Sequence, residues 1–235
     1  MILPVREPYD WERMLEWLGT RAIPGLEEVA GGVYRRAGEA EVRRVEGALE
    51  LSGTADPAVI ARLFDTGHDP AVLGDDPLFA RAPGLRVPGA WSGWELAVRA
   101  VLGQQVSVAG ARRTAAKLVD QLGDGRSFPT PKAVAEGVLP GMPQTRERAL
   151  RALARAVSDG LRLDPPLDIA ATRAALLQLP GFGPWTVEYI AMRALRDPDA
   201  WPTGDLWLKR AAGAGDSERW RPWRAYAAMI LWQTA

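Results

Sequence analysis

The sequence predicts a mostly α-helical protein with a small α/β domain at its N-terminus. Three observations lead there. After Trp94 the apolar residues recur at helical spacing almost to the C-terminus. Before residue 68, two β-like runs, Gly32–Arg36 and Glu41–Ser52, lie between helical segments. Between the two regions, DPAVLGDDPLFARAPGLRVPGAWSGW is rich in Pro and Gly and reads as a connector with one short helix.

In chain order, Asp10 suits the cap of a helix running through Gly19, with Trp11, Met14, Leu15 and Leu18 on one face. The two strand runs follow, and a helix over Pro57–Leu63 closes the unit. ELAVRAVLGQQVSVAGARRTAAKLVDQLG gives two helices, or one broken near Gly103. Pro129 and Pro131 punctuate. Thr145–Gly160 is a helix bearing Arg146, Arg148, Arg151 and Arg155, a basic face of the kind that is ordinarily solvated. Segments 168–179 and 185–196 are helices on either side of the turn Pro180-Gly181-Phe182-Gly183-Pro184. A last helix begins near Pro222, where proline suits a first turn.

Composition narrows the chemistry. The 235 residues are 47% hydrophobic, enough for a sizeable core. No apolar run approaches the roughly 20 residues that span a bilayer, and the N-terminus MILPVREPYDWERM meets charge too early for a secretory segment. The expectation is a cytoplasmic, non-membrane protein. The chain has no cysteine, so disulfides, thiolate catalysis, cysteine-bound zinc and a four-cysteine iron–sulfur cluster are excluded. Its one histidine, His68, stands in a loop-like TGHDP and reads as a surface residue. The formal net charge is zero but unevenly spread: −5 over residues 1–93, +4 over 94–185 and +1 over 186–235. The basic excess falls on the region of the glycine turn, where local charge matters for attracting phosphate.

That turn is the most informative feature. Its glycines permit tight geometry and close approach of another molecule. Free N–H groups opening the second helix make an anion site suited to a phosphate. About two dozen residues on, a single carboxylate, Asp205, stands in PTGDLWLK. By residue type alone Asp205 reads as an N-cap for a helix from Leu206, as an acid placed to act beside the turn, or as both at once. Ten tryptophans is high usage, and each is either core filler or a stacking surface. Trp11, Trp91, Trp201 and Trp223 read as core.

LPGFGPWT followed by Asp-Leu-Trp-Leu-Lys resembles the helix-hairpin-helix plus Gly/Pro-Asp signature of the DNA glycosylase superfamily. PYDWERMLEWLGTRAIPGLEEV, GLRVPGAWSGWELAVRAVLGQQVSVAGA and RWRPWRAYAAMILWQT extend the likeness to the AlkA type of 3-methyladenine DNA glycosylase over essentially the whole chain. The resemblance implies an N-terminal domain over 1–68 like half of a TATA-binding-protein fold. It implies two helical subdomains, 69–92 plus 198–235 and 93–197, around a cleft. It places Asp205 on the catalytic aspartate, and Trp185, Trp232, Tyr189 and Trp17 on the base pocket. The amides of Gly181, Gly183 and Thr186 match phosphate contacts. The carbonyls of Leu177, Leu179 and Phe182 match a monovalent-cation site for Na⁺ or K⁺, with no other cofactor required. Gln105 takes the position that enters the duplex, where the family pattern is apolar. Two further pocket positions carry Leu206 and Gln233 in place of aromatics. The implied partner is double-stranded DNA with alkylated bases, and the implied state a monomer.

The implied chemistry is coherent. Cleaving an N-glycosidic bond passes through an oxocarbenium-like sugar, which one carboxylate stabilises. An alkylated cationic base leaves easily, so one acid suffices. The bond is hidden in the duplex, so the nucleotide must be extruded. Two other readings stand beside this one: a non-catalytic helix-hairpin-helix DNA-binding module, and a bifunctional glycosylase/lyase. The lyase needs a lysine just after the hairpin, where this chain has Trp185.

Overall fold

A computed structural model describes residues 1–212 and 217–233. The expected C-terminal span to residue 235 runs partly outside these. The N-terminal unit is a five-stranded antiparallel sheet in the order β1-β5-β4-β3-β2. Its strands are β1 (Ile2–Pro4), β2 (Glu27–Ala30), β3 (Val33–Arg36), β4 (Ala40–Val45) and β5 (Ala48–Gly53). Tyr34, Val42 and Leu51 sit opposite one another across three strands and are buried together, forming the inner face. The outer face pairs charges instead: Arg35 with Glu41, and Arg43 with Glu50. Helices α1 (Trp11–Arg21) and α2 (Pro57–Phe64) belong to this unit. The side chains of Asp10 and Asp56 cap them.

The strand runs need two corrections. Glu41–Ser52 is not one run but a hairpin, β4 and β5, broken at Glu46-Gly47, where Gly47 takes φ +64°. β1 and β2 lie outside both expected runs. β1 has only three residues and pairs with β5 more than forty residues away, so no local pattern announces it.

The rest is helical. A turn of 3-10 helix and α3 (Pro77–Ala80) fill the connector. Then come α4 (Gly93–Leu102), α5 (Val108–Leu122), α6 (Pro131–Glu136), α7 (Gln144–Ser158), α8 (Ile169–Leu177), α9 (Pro184–Arg193), α10 (Leu206–Ala211) and α11 (Arg224–Gln233). α4 and α11 are buried along most of their length and form the centre of the core. The last helix opens at Arg224, two residues later than expected, with Pro222 in the preceding link. Nor is the basic face of α7 wholly solvated. Arg151 donates to the carbonyls of Ala135 (2.8 Å) and Gly137 (3.1 Å) at the end of α6. Arg146 donates to the carbonyl of Gln104 at 2.6 Å. Trp11, Trp91, Trp201 and Trp223 are half-buried against the core, as read.

Two polar clusters fix the sheet unit to the helical body. In the first, Arg36, only 3% exposed, donates to both Glu95 oxygens, at 2.6 and 3.2 Å. Arg99 pairs with Glu95 and Glu27, and Glu27 also accepts the Tyr34 hydroxyl at 2.9 Å. Burial would raise the Glu27 pKa, but Arg99 and Arg36 outweigh it and the net shift is downward. Removing one member would strand a buried charge, a change that typically costs about 3–5 kcal/mol.

The second cluster surrounds Asp65 at the left-handed end of α2. Its carboxylate accepts the Tyr226 hydroxyl (2.9 Å), the Val87 N–H (3.2 Å) and a bond from Arg196. It therefore joins α2, the connector, the chain after α9, and α11. His68 packs here, stacked on Tyr226 at 3.9 Å and 8% exposed. The expected surface position is thus wrong: the TGHDP loop folds inward against α11. Burial, with help from Arg86 and Arg196, pushes the His68 pKa down to about 4.

The sign of the pH dependence follows. Above the ordinary value of 6.5, folded and unfolded His68 are both neutral and its contribution to stability is complete. As pH falls toward 4, the unfolded chain takes up a proton that the folded one refuses, and that contribution is lost. Thermal melting between pH 7.5 and 4.5 should therefore drop more steeply for the wild type than for His68→Phe. Parallel slopes would remove His68 as the cause.

Candidate active site

The hairpin joins α8 to α9. Gly181 takes φ +82°, and a Cβ there would lie 3.0 Å from the Ala149 side chain of α7. Glycine is required on both counts. Gly183 is exposed with open space around it, and it caps α9 without any side-chain hydrogen bond. Most other helices here begin on Asp, Ser or Thr whose side chain accepts a first-turn N–H. α9 therefore presents its first-turn amides unfilled. Thr186 is buried and its hydroxyl is engaged by Gln104, which leaves the backbone amide as its free group.

Asp205 follows Gly204, whose φ of +88° turns the chain into α10. One carboxylate oxygen accepts the Leu208 N–H at 2.9 Å, the N-cap bond. The other accepts the Trp185 indole N–H at 3.1 Å. The capping and site readings thus use different oxygens of one side chain. Trp185 in turn stacks parallel on Tyr189, with centroids 5.3 Å apart and planes 7° from parallel.

These groups open onto a cavity of about 410 Å³. Asp205, Trp185, Tyr189, Trp232 and Trp17 all line it. Trp17 comes from α1 and stacks with Trp232 of α11 at 6.1 Å. Four expected pocket residues and the expected catalytic aspartate, drawn from three helices and one cap, converge on one space. Leu206 and Gln233 do not line it. Leu206 is 69% exposed at the start of α10, and Gln233 ends α11.

Four arginines also line the cavity, and the sequence reading missed them: Arg21, Arg99, Arg112 and Arg193. Spacing carried a signal for two. Arg21 lies four residues after Trp17, and its guanidinium stacks on that indole at 3.4 Å. Arg193 lies four after Tyr189 and donates to its hydroxyl at 2.6 Å. Burial would raise the Tyr189 pKa, but Arg193 and Arg21 outweigh it and lower the value.

Gln105 stands exposed in the turn between α4 and α5 at φ +57°, a left-handed conformation unusual for a residue with a side chain. Its neighbour Gln104 points the other way, into the hairpin. Gln104 Nε2 donates to the Gly181 carbonyl (2.8 Å) and the Thr186 hydroxyl (3.1 Å). The tip that carries Gln105 is thus braced on the glycine turn.

The double engagement of Asp205 can be separated by mutation. Asp205→Ala should cost about 1 kcal/mol of stability through loss of the cap, whereas Asp205→Asn should cost far less, since asparagine caps as well as aspartate. Equal losses in chemical denaturation would place the stabilisation elsewhere.

Comparison with known proteins agrees with this architecture. Residues 1–63 match the family described as the AlkA N-terminal domain. A Mycobacterium tuberculosis protein named a probable bifunctional transcriptional activator/DNA repair enzyme AlkA is 39% identical over 99% of this chain, which spans 56% of that relative's length. Escherichia coli DNA-3-methyladenine glycosylase 2 is 34% identical over 97% of this chain and 94% of its own. The solved 3-methyladenine DNA glycosylase from Archaeoglobus fulgidus superposes with a TM-score of 0.81 at 18% identity, covering 99% of this chain and 97% of that one. An apo Clostridium acetobutylicum 8-oxoguanine glycosylase/lyase superposes at 0.70 and 16% identity, covering 91% and 90%. The structural likenesses establish the helix-hairpin-helix glycosylase fold. With the near-full-length identity to the E. coli enzyme, they show that the chain belongs to the AlkA family of DNA-3-methyladenine glycosylases.

Proposed function

We propose that this protein excises alkylated bases, 3-methyladenine and 7-methylguanine among them, from double-stranded DNA and leaves an abasic site. The observation that carries the reading is Asp205: a carboxylate with both oxygens oriented, on the wall of an aromatic cavity that also holds Trp185 of the hairpin helix. The target nucleotide is extruded into that cavity, at a cost of a few kcal/mol for unpairing and unstacking. Stacking on an aromatic wall returns about 1–3 kcal/mol per base. Trp232 and Tyr189 supply that wall.

In the reaction, the bond between the sugar C1′ and the base nitrogen breaks and its electron pair leaves with the base. Asp205 stabilises the positive charge that develops on the sugar. Water adds to C1′, giving up a proton, and the sugar is left as a hydroxyl-bearing abasic site. Strand cleavage through a Schiff base needs an amine, and the cavity wall includes no lysine. The reading is therefore monofunctional.

Around the pocket, the amides of Gly181 and Gly183 in the turn and of Thr186 in the first turn of α9 grip a backbone phosphate, and Gln105 fills the gap that the extruded base leaves. For a monovalent cation in the turn, the carbonyls of Leu177 and Phe182 accept no hydrogen bond across the turn among the described residues, while that of Leu179 takes the Phe182 N–H. Oxygen lone pairs thus remain for such an ion, which would tie phosphate to backbone.

Single-turnover excision from alkylated duplex tests the assignment. Asp205→Asn should lower the rate by about 10²–10³ while binding to an abasic-site analogue persists. A rate within threefold of wild type would reject the catalytic role. Borohydride treatment during turnover should trap no covalent protein–DNA adduct, and an adduct abolished by changing one lysine would establish a lyase. Gln105→Ala should weaken binding to the abasic analogue, and unchanged affinity and excision would assign the gap-filling role to another residue.

A further inference from the structure

Helix α9 runs from the rim of the cavity to its interior, and the residues it turns toward the cavity change character on the way. Trp185, Tyr189 and Arg193 recur at every fourth position and all line the space. At the rim, Trp185 holds Asp205, which stands between the exposed Gly204 and Leu206. Two turns further on, about 12 Å along the helix axis, Arg193 is buried. Its Nε and Nη2 donate to the carbonyls of Pro88 and Gly89, and its Nη1 to the Tyr189 hydroxyl. These partners satisfy its N–H groups without cancelling its charge.

Two more guanidinium groups stand at the interior end. Arg21 stacks on the buried Trp17 and also donates to the Tyr189 hydroxyl. Arg112 donates its Nε to the carbonyl of Ala22, the residue that follows Arg21. Arg99, in the same wall, is matched by Glu27 and Glu95. Arg21, Arg112 and Arg193 form no ion pair among the described residues. The interior end therefore carries three uncompensated positive charges, and the rim one negative charge. The Tyr189 phenol registers this imbalance. Burial pushes the other three phenols, Tyr9, Tyr34 and Tyr226, well up. It would raise Tyr189 too, but Arg193 and Arg21 outweigh it and the shift is downward.

The connectivity of a nucleotide decides which part of it meets which charge. The sugar stays tied to the phosphates of its strand, so it remains at the rim beside Asp205. The base is the free end and goes inward, toward Tyr189 and Arg193. When the bond from C1′ to the base nitrogen breaks, its electron pair passes to the base. A cationic base leaves neutral and a neutral base leaves as an anion. In both cases positive charge grows on the sugar. We propose that Arg21, Arg112 and Arg193 set up a positive field behind the base that draws this electron pair inward, opposite Asp205 at the rim. The proposal rests on the glycosylase reading above and adds to it the half of the charge separation that Asp205 does not serve. Its cost falls on binding. A cationic base is repelled while it is bound, and that repulsion is relieved as it leaves. A neutral base meets no such repulsion.

The test compares 7-methylguanine, which is cationic in DNA, with hypoxanthine, which is neutral. Single-turnover cleavage is measured in matched duplexes for the wild type, Arg21→Met, Arg21→Lys and Arg112→Met. Binding is read on 2′-fluoro analogues of the same nucleotides, whose glycosidic bonds resist cleavage. Each methionine variant should slow cleavage of both bases about tenfold. Each should also bind the 7-methylguanine duplex at least about threefold more tightly and the hypoxanthine duplex no more tightly. Lysine at position 21 keeps the charge and should keep cleavage within threefold of wild type. General damage to the cavity would weaken binding and cleavage together for both bases. Cleavage within threefold of wild type in both methionine variants overturns the proposal. So does slowed cleavage without tighter binding of 7-methylguanine, or a lysine variant as slow as the methionine one. Arg112→Met alone decides if Arg21→Met does not fold.

A titration without DNA separates the field from the reaction. Tyr189 is the phenol that ionises first when tyrosinate absorbance of the folded protein is followed into alkali. Arg21→Met should move that first step upward. If it does and the wild type excises neither base, the glycosylase reading fails while the field stands. If the wild type excises both bases and Arg21→Met changes neither the step nor the cleavage rates, the field fails while the glycosylase reading stands.

Discussion

Trp17 and Trp232 lie at opposite ends of the chain, and the pocket exists only while their helices are held together. The Asp65 carboxylate has a large share in that constraint. It sits where α2 ends and takes hydrogen bonds from α11, from the connector and from Arg196. Apolar packing alone could let the sheet unit slide across the helical body at little cost. A buried carboxylate with three directional partners cannot slide without losing them. The Arg36–Glu95–Glu27–Arg99 cluster acts the same way at the other end of the joint, between the sheet and α4. Both clusters are expensive to bury and expensive to break. The position of α1 against α11, and with it one wall of the cavity, is thus set by polar geometry as much as by the core.

Asp205 shows how a site can be made rigid with few residues. The cap bond fixes one oxygen to the start of α10. The indole of Trp185 fixes the other, and the Trp185 ring is itself held by stacking on Tyr189. A carboxylate oriented in this way needs little reorganisation when charge develops nearby. The same indole bridges the hairpin helix and the acid. Displacement of the hairpin would therefore be felt at Asp205 through a single hydrogen bond.

Much of this was legible in the sequence, for physical reasons that differ by element. The hairpin was legible because glycine at φ +82° and a proline opening α9 are local requirements. The α4–α5 break was legible because GQQVS interrupts two apolar periodicities. Asp205 was legible by spacing and resemblance, although nothing local separated its capping role from its site role. β1 and β2 were not legible, because short strands are stabilised by partners distant in sequence. His68 was misread because the burial of its loop depends on Tyr226, 158 positions later. The cavity arginines were missed because a long cationic side chain is normally solvated, and only the three-dimensional arrangement shows what neutralises or stacks on each.

The backbone at Gln105 also limits what protein engineering or natural drift could put at that tip. A left-handed φ is costly for valine, isoleucine and threonine, whose branched Cβ crowds the preceding carbonyl, and it is tolerated by glycine, asparagine and unbranched side chains. The repertoire of residues that this tip can carry is therefore filtered by the Ramachandran plot. Gln104 and Arg146, by pinning the residue just before it, keep that filter in force. A library built at position 105 alone would sample a narrow chemical alphabet. Widening it would first require releasing the neighbouring brace.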